Sequence, residues 1–170
     1  MTLAASHKVD PIRVRKAQPA DLEAILALER ATASAPHWPR AAYREMVQQG
    51  ESPVRRVLLI AGLCDAGDAT MPFRLVGFAA AGIQGDSAEW ESIAVAARTR
   101  RSGVGRALGE AMIAWSREEG ATEITLEVRA ASAGAIAFYR EMGFAEAARR
   151  PGYYHDPEDD AVLMRRLSTV

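Results

Sequence analysis

Four arginines and two glycines crowd the run RTRRSGVGR at residues 98–106, between an apolar stretch, SIAV, and a longer amphipathic one. Val104, Leu108, Ala111, Met112 and Trp115 recur at helical spacing, so the run is the turn from a strand into a long helix. A helix start leaves several backbone N–H groups without internal partners, and its dipole favours an anion there. Gly103 and Gly105 remove side chains where a phosphate must come close to the backbone. Arg98, Arg100, Arg101 and Arg106 add positive charge around the same turn. The chemistry implied is capture of a diphosphate by main-chain amides. No Lys-Ser or Lys-Thr pair follows the glycines, so this is not a Walker loop. The third glycine of the dinucleotide fingerprint is missing at its place, although Gly109 follows later. The plain alternative is a solvated basic helix start.

Two further residues have types suited to proton transfer. In ITLEVRA, Glu127 lies on the face opposite Ile124, Leu126 and Val128. A glutamate within an apolar strand is locally unfavourable, and partial burial would raise its pKa toward the working range. A charge on an exposed sheet face, or a partner for Arg129, accounts for it equally well. Tyr139 sits among helix positions whose neighbours Ile136 and Met142 belong to a core, which also suits a packing tyrosine. Glu89 and Glu91 supply carboxylates on the preceding strand, with Glu91 sharing parity with Ile93 and Val95. His37 and His155 read as exposed bystanders in loops bearing Pro or Asp. Trp38 either covers a substrate or staples a helix start, and Tyr153 and Tyr154 either line a groove or pack. The acidic residues Asp156, Glu158, Asp159 and Asp160 read as solvated, with attraction of a cationic chain end as the other option.

The elements that must position these residues follow from periodicity and punctuation. Ile12 to Ala17 alternates as a half-buried strand; Pro19-Ala20-Asp21 opens a helix with Leu22, Ile25 and Leu26 inside. A second short helix follows Trp38-Pro39 through Tyr43 and Met46. Strands are expected at residues 57–61, 73–83 and 88–95, with a turn at Gln84-Gly85-Asp86 and a loop at 64–72. Short connections make these antiparallel. The long helix ends near Gly120, a strand carries Ile124 to Val128, a helix runs from Ala133 to Met142, and strands fit 144–149 and 161–166. Strand, long helix and strand in succession form a parallel crossover grafted on a meander. The fold class is α/β, one domain over residues 11–170 with a mixed, mostly antiparallel, twisted sheet and helices on both faces. Residues 1–10 are expected to be a disordered tail.

Composition narrows the function classes. The 170 residues suit one domain, 49% hydrophobic and 25% charged. A net charge of −1 gives the whole molecule no electrostatic case for nucleic acid or an anionic membrane. Cys64 is the single cysteine, which excludes an intramolecular disulfide and a multi-cysteine zinc site; no metal is expected. No apolar run reaches the roughly 20 residues needed to span a bilayer, and the start lacks a signal-peptide stretch, so the expected placement is cytoplasmic.

The pattern Arg100-x-x-Gly103-x-Gly105 after a strand and opening a helix resembles the acetyl-CoA motif of the GNAT acetyltransferase superfamily. LEVRAASAGAIAFYREMGF is similar to the strand and helix that complete that family's cofactor cleft, and more narrowly to the bacterial RimI-type enzymes. PHWPRAAY, WESIAV and GYYHDPEDDAVLMRRL extend the similarity over nearly the whole chain. The resemblance implies a sheet splayed at the cofactor site. The pantetheine arm would pair with Ile93, Ala94 and Val95, and the diphosphate would lie on the amides of Arg101, Ser102, Gly103, Val104, Gly105 and Arg106. It implies Glu127 as general base and Tyr139 as general acid, with Glu89 or Glu91 as alternative bases used by other branches. Ser132 stands where the subfamily commonly has a cofactor-contacting asparagine; a hydroxyl would reach the cofactor only through water.

What the resemblance implies is an enzyme that moves the acetyl group of acetyl-CoA to a protein N-terminal α-amino group, that of an alanine on a small-subunit ribosomal protein. The rival readings are a GNAT enzyme acting on a small amine or lysine side chain, and a module that senses acetyl-CoA without turnover. The partner expected is a protein or peptide N-terminus, with no direct nucleic-acid or membrane contact.

Overall fold

The computed structural model of the chain describes residues 11–48, 52–63 and 73–168. The expected tail at 1–10, the loop at 64–72 and Cys64 lie outside the described residues.

Among the described residues seven strands form one sheet in the order β1-β2-β3-β4-β5-β7-β6. They are β1 (Ile12–Lys16), β2 (Arg55–Leu63), β3 (Arg74–Gln84), β4 (Ser87–Val95), β5 (Glu123–Arg129), β6 (Ala145–His155) and β7 (Glu158–Leu167). The helices are α1 (Leu22–Arg30), led in by a 3-10 turn at Pro19–Asp21, α2 (Arg40–Gln48), α3 (Val104–Glu118) and α4 (Ala133–Glu141). All neighbouring strands are antiparallel except β4 and β5, which the α3 crossover makes parallel. Fold class, element order and strand direction match the sequence reading.

Period-2 alternation divides the apolar side chains between the two faces. Leu58, Ile60, Phe78, Ala80 and Ala94 meet Leu22, Ile25, Leu26, Tyr43 and Met46 of α1 and α2. Val57, Leu59, Ala79, Ala81, Ala88 and Trp90 meet Val104, Leu108, Met112 and Trp115 of α3, joined by Ile124, Leu126 and Val128 of β5. At Gly77 only a hydrogen fits, because a Cβ would meet Val104 Cγ1 at 2.9 Å and Leu108 Cδ1 at 3.0 Å. That close approach seats the start of α3 on the sheet.

Two details differ from expectation. In β4, Ser92 pairs with Ala80 but Trp90 pairs with Ala81, leaving Glu91 as the extra residue of a bulge. The alternation shifts there: Ala88 and Trp90 share the α3 face with Ile93 and Val95, so parity counted through Glu91 misplaces it. Strands β6 and β7 also run further than 144–149 and 161–166, out to a tip at His155 and Glu158. Strand β6 is an edge strand exposed along almost its whole length, so no buried alternation marks its extent.

Candidate active site

After the 3-10 turn Ala97–Thr99 the chain bends sharply, with left-handed φ of 64° at Arg101 and 91° at Gly103. Ser102 Oγ donates to Thr99 O at 2.6 Å and fixes the bend from inside. The first bond within α3 runs from Ala107 N to Gly103 O at 2.9 Å. The amides of Val104, Gly105 and Arg106 therefore precede the helical ladder and have no partner within the helix. Arg98, Arg100, Arg101 and Arg106 are all exposed around them. A Cβ on Gly105 would lie 3.8–3.9 Å from Phe138 and Val95, filling the recess between α3, α4 and β4. Amides without partners in the helix, a dipole and guanidinium groups at one bend suit a diphosphate.

The bend opens onto a seam. Strands β4 and β5 pair only through Ser87–Glu123, Ala88–Ile124 and Glu89–Thr125. From Trp90 to Val95 no ladder pair with β5 forms, so the β5-facing backbone groups of Ile93 to Val95 are left for another partner. Six residues of strand, Trp90 to Val95, run beyond Glu89, about 20 Å of open edge at strand rise. Ser132 caps the start of α4 without a side-chain cap bond.

Tyr139 of α4 closes the inner end of this seam. Its ring meets Trp90, the first β4 residue past the ladder, at 6.3 Å edge-on, and Phe144 at 6.1 Å. Burial, and then the neighbouring Tyr154, push its hydroxyl up to about 12, so at neutral pH it keeps its proton.

Glu127 lies on the opposite face of β5 from Leu126 and Val128, on the α2 side of the sheet, as the alternation required. It is 21% exposed and does not pair with Arg129. Arg150 Nη1 of β6 stands 2.7 Å from its Oε1. Arg129 instead stacks on Tyr154 at 4.1 Å and donates to the carbonyls of Asp156 and Pro157, fixing the β6–β7 tip. Asp159 and Asp160 are tied to the Ala131 and Gly152 amides. They brace the hairpin rather than standing free.

Glu89 shares the face of Glu127. Its pKa is raised, first by burial, then by Glu91 and Glu127, against the opposing pull of Arg56 and Arg150. Arg56 Nε pairs with Glu91 at 3.0 Å. Trp38, Ala42, Glu45, Met46, Arg56, Glu89 and Glu91 line a cavity of about 510 Å³ between α2 and the sheet. The face is thus a concave, acidic recess suited to a cationic amine. Reading the sequence missed Arg150 and Arg56, which sequence separation hides. Among the described residues no cluster of His, Cys, Asp or Glu could hold a metal ion, and no helix is long and apolar enough to cross a membrane.

The chain is similar to known proteins. The pattern of the acetyltransferase (GNAT) family matches residues 22–144. A [ribosomal protein bS18]-alanine N-acetyltransferase of Escherichia coli K12 is 40% identical over 93 residues, 54% of this chain and 63% of that relative's length. The crystal structure of the E. coli ribosomal-protein-S18-alanine N-acetyltransferase superposes with a TM-score of 0.73 at 28% identity, covering 94% of this chain and 96% of that one. Ard1 from Thermoplasma volcanium gives 0.75 at 27%, covering 94% and 99%.

Proposed function

We propose that this chain, which belongs to the GNAT family of acetyltransferases, transfers the acetyl group of acetyl-CoA to the N-terminal α-amino group of a protein, an alanine on a small-subunit ribosomal protein. The observation that carries the reading is the seam between β4 and β5, which leads from the amide-rich bend to Tyr139, with an acidic recess across the sheet. The E. coli relative's alanine substrate and the peptide-sized recess support the finer acceptor assignment.

Acetyl-CoA supplies an acetyl group already activated as a thioester. The residues present fit it: the amides of Val104 to Arg106 and the guanidinium groups around them would hold the diphosphate, and Ile93 to Val95 would offer main-chain partners to the pantetheine arm. Glu127 receives the acceptor's ammonium where Arg150 now stands, and takes a proton from it. An α-amino group starts from a pKa near 8, well below that of lysine, so a carboxylate working directly or through water suffices. Tyr139 donates a proton toward the departing sulfur.

Incubation of the protein with acetyl-CoA and peptides beginning with alanine, read by mass spectrometry, is expected to add one acetyl group at the α-amine. Modification confined to lysine side chains or small amines would overturn the acceptor assignment.

The bend makes its own prediction. Gly103→Val places a β-branched residue at φ 91°, a conformation costing about 1–2 kcal/mol or more, and crowds the anion site. The expected result is an acetyl-CoA KM raised about tenfold with the peptide KM near wild type, measured by initial rates. An unchanged acetyl-CoA KM would remove the diphosphate from this bend.

A further inference from the structure

Glu29 lies in the last turn of α1 and is 4% exposed. That position is unfavourable twice over, because burial penalises a carboxylate and a helix C-terminus repels an anion. The imidazole of His37, which reads in the sequence as an exposed bystander, lies beside it. Nδ1 of His37 stands 3.1 Å from Glu29 Oε1, across the connection between α1 and α2. The contact is close without being an aligned hydrogen bond, since Oε1 has no hydrogen-bond partner among the described residues. Tyr43 OH, fully buried beside it, has none either, and burial followed by Glu29 pushes the Tyr43 hydroxyl up.

His37 reaches Glu29 from a strained backbone. Its φ is 54°, a left-handed value that a non-glycine residue holds only when its surroundings impose it. Its side chain is 55% exposed, so packing alone does not hold it. The next residue, Trp38, packs on Tyr43 with ring centroids 5.6 Å apart and lines the 510 Å³ recess. One continuous path therefore runs from a buried carboxylate, through a strained histidine, to the wall of the recess.

We infer that the Glu29–His37 contact is a latch that sets Trp38 against the acceptor, which makes His37 a positioning residue for acceptor binding. This rests on the reading of the recess as the acceptor site. With the latch made, Trp38 and Met46 bound the recess against the first residues of the incoming chain. Without it, the connection relaxes from its left-handed turn and Trp38 moves off that wall. Acetyl-CoA, held on the far side of the molecule at the α3 bend, does not feel the change.

The test uses His37→Ala, Glu29→Gln and His37→Asn in the full chain. His37→Ala and Glu29→Gln are each expected to raise the acceptor-peptide KM about tenfold, as loss of one polar contact does, with acetyl-CoA KM and kcat within about twofold. The double variant should be no worse than either single one. Asparagine tolerates a left-handed φ and still offers an N–H to Glu29, so His37→Asn should recover most of the loss. Acrylamide quenching reads Trp38 directly, because Trp90 and Trp115 are each only 5% exposed. Quenching should rise in His37→Ala and fall back in His37→Asn. An acceptor KM and quenching both unchanged, or all three kinetic constants and the melting temperature falling together, would overturn the latch. If the wild-type protein acetylates no peptide, the acceptor reading fails, while quenching still decides whether the latch exists.

Discussion

Tyr139→Phe is expected to lower kcat about 10²-fold while the KM for acetyl-CoA stays near wild type, the loss typical of removing a general acid. Phenylalanine keeps the ring that packs on Trp90 and Phe144 and deletes only the hydroxyl. Stability therefore barely changes, and a thermal melt distinguishes lost chemistry from lost fold. The sign of the pH effect follows from the raised hydroxyl. Burial and Tyr154 move it up to about 12, so the donor form is the one present at every lower pH. The wild-type kcat profile should then show no alkaline fall from this group between pH ~7 and ~10. Initial rates across that range check it. An undiminished kcat in the variant would remove Tyr139 from the reaction.

Glu127→Gln should cost more, about 10²- to 10³-fold in kcat/KM for the peptide, because the same change removes the base and the anion that receives the ammonium. Arg150 loses its partner but is 56% exposed, so water solvates it and the stability change stays below about 1 kcal/mol. The decisive comparison is Glu89→Gln, expected to cost less than about tenfold. Its raised pKa has a second consequence. The folded protein holds this proton more tightly than the unfolded chain does, so stability falls as pH rises from the ordinary glutamate range through the raised value. Above that window the ionised Glu89 is a standing cost. Glu89→Gln is therefore slightly more stable at neutral pH and equally stable in acid, read from melts at the two pH values. If Glu89→Gln loses more activity than Glu127→Gln, the base is Glu89.

The bend, the long helix and the strand around Glu127 were legible because each is a short-range pattern: glycine and arginine at a helix start, a 3.6-residue period, a 2-residue period. The same locality explains the failures. Arg150 meets Glu127 only because β6 folds back beside β7, and an edge strand exposed along its length carries no alternation to announce where it ends. The bulge at Glu91 shifts the parity of β4, which counting from Ile93 does not reveal. His37 reads as exposed and is so, while its contact with Glu29, one helix earlier and buried, is a fact that only packing supplies.

Three rows of ladder are all that stitch β4 to β5, although one apolar core runs beneath both. A guest threaded along the gap acts as a missing strand, saturating main-chain groups that otherwise rely on water. Part of the cohesion of this molecule would then depend on its small-molecule supply, with the two sides of the seam expected to hold together more firmly when the guest is bound than when it is not.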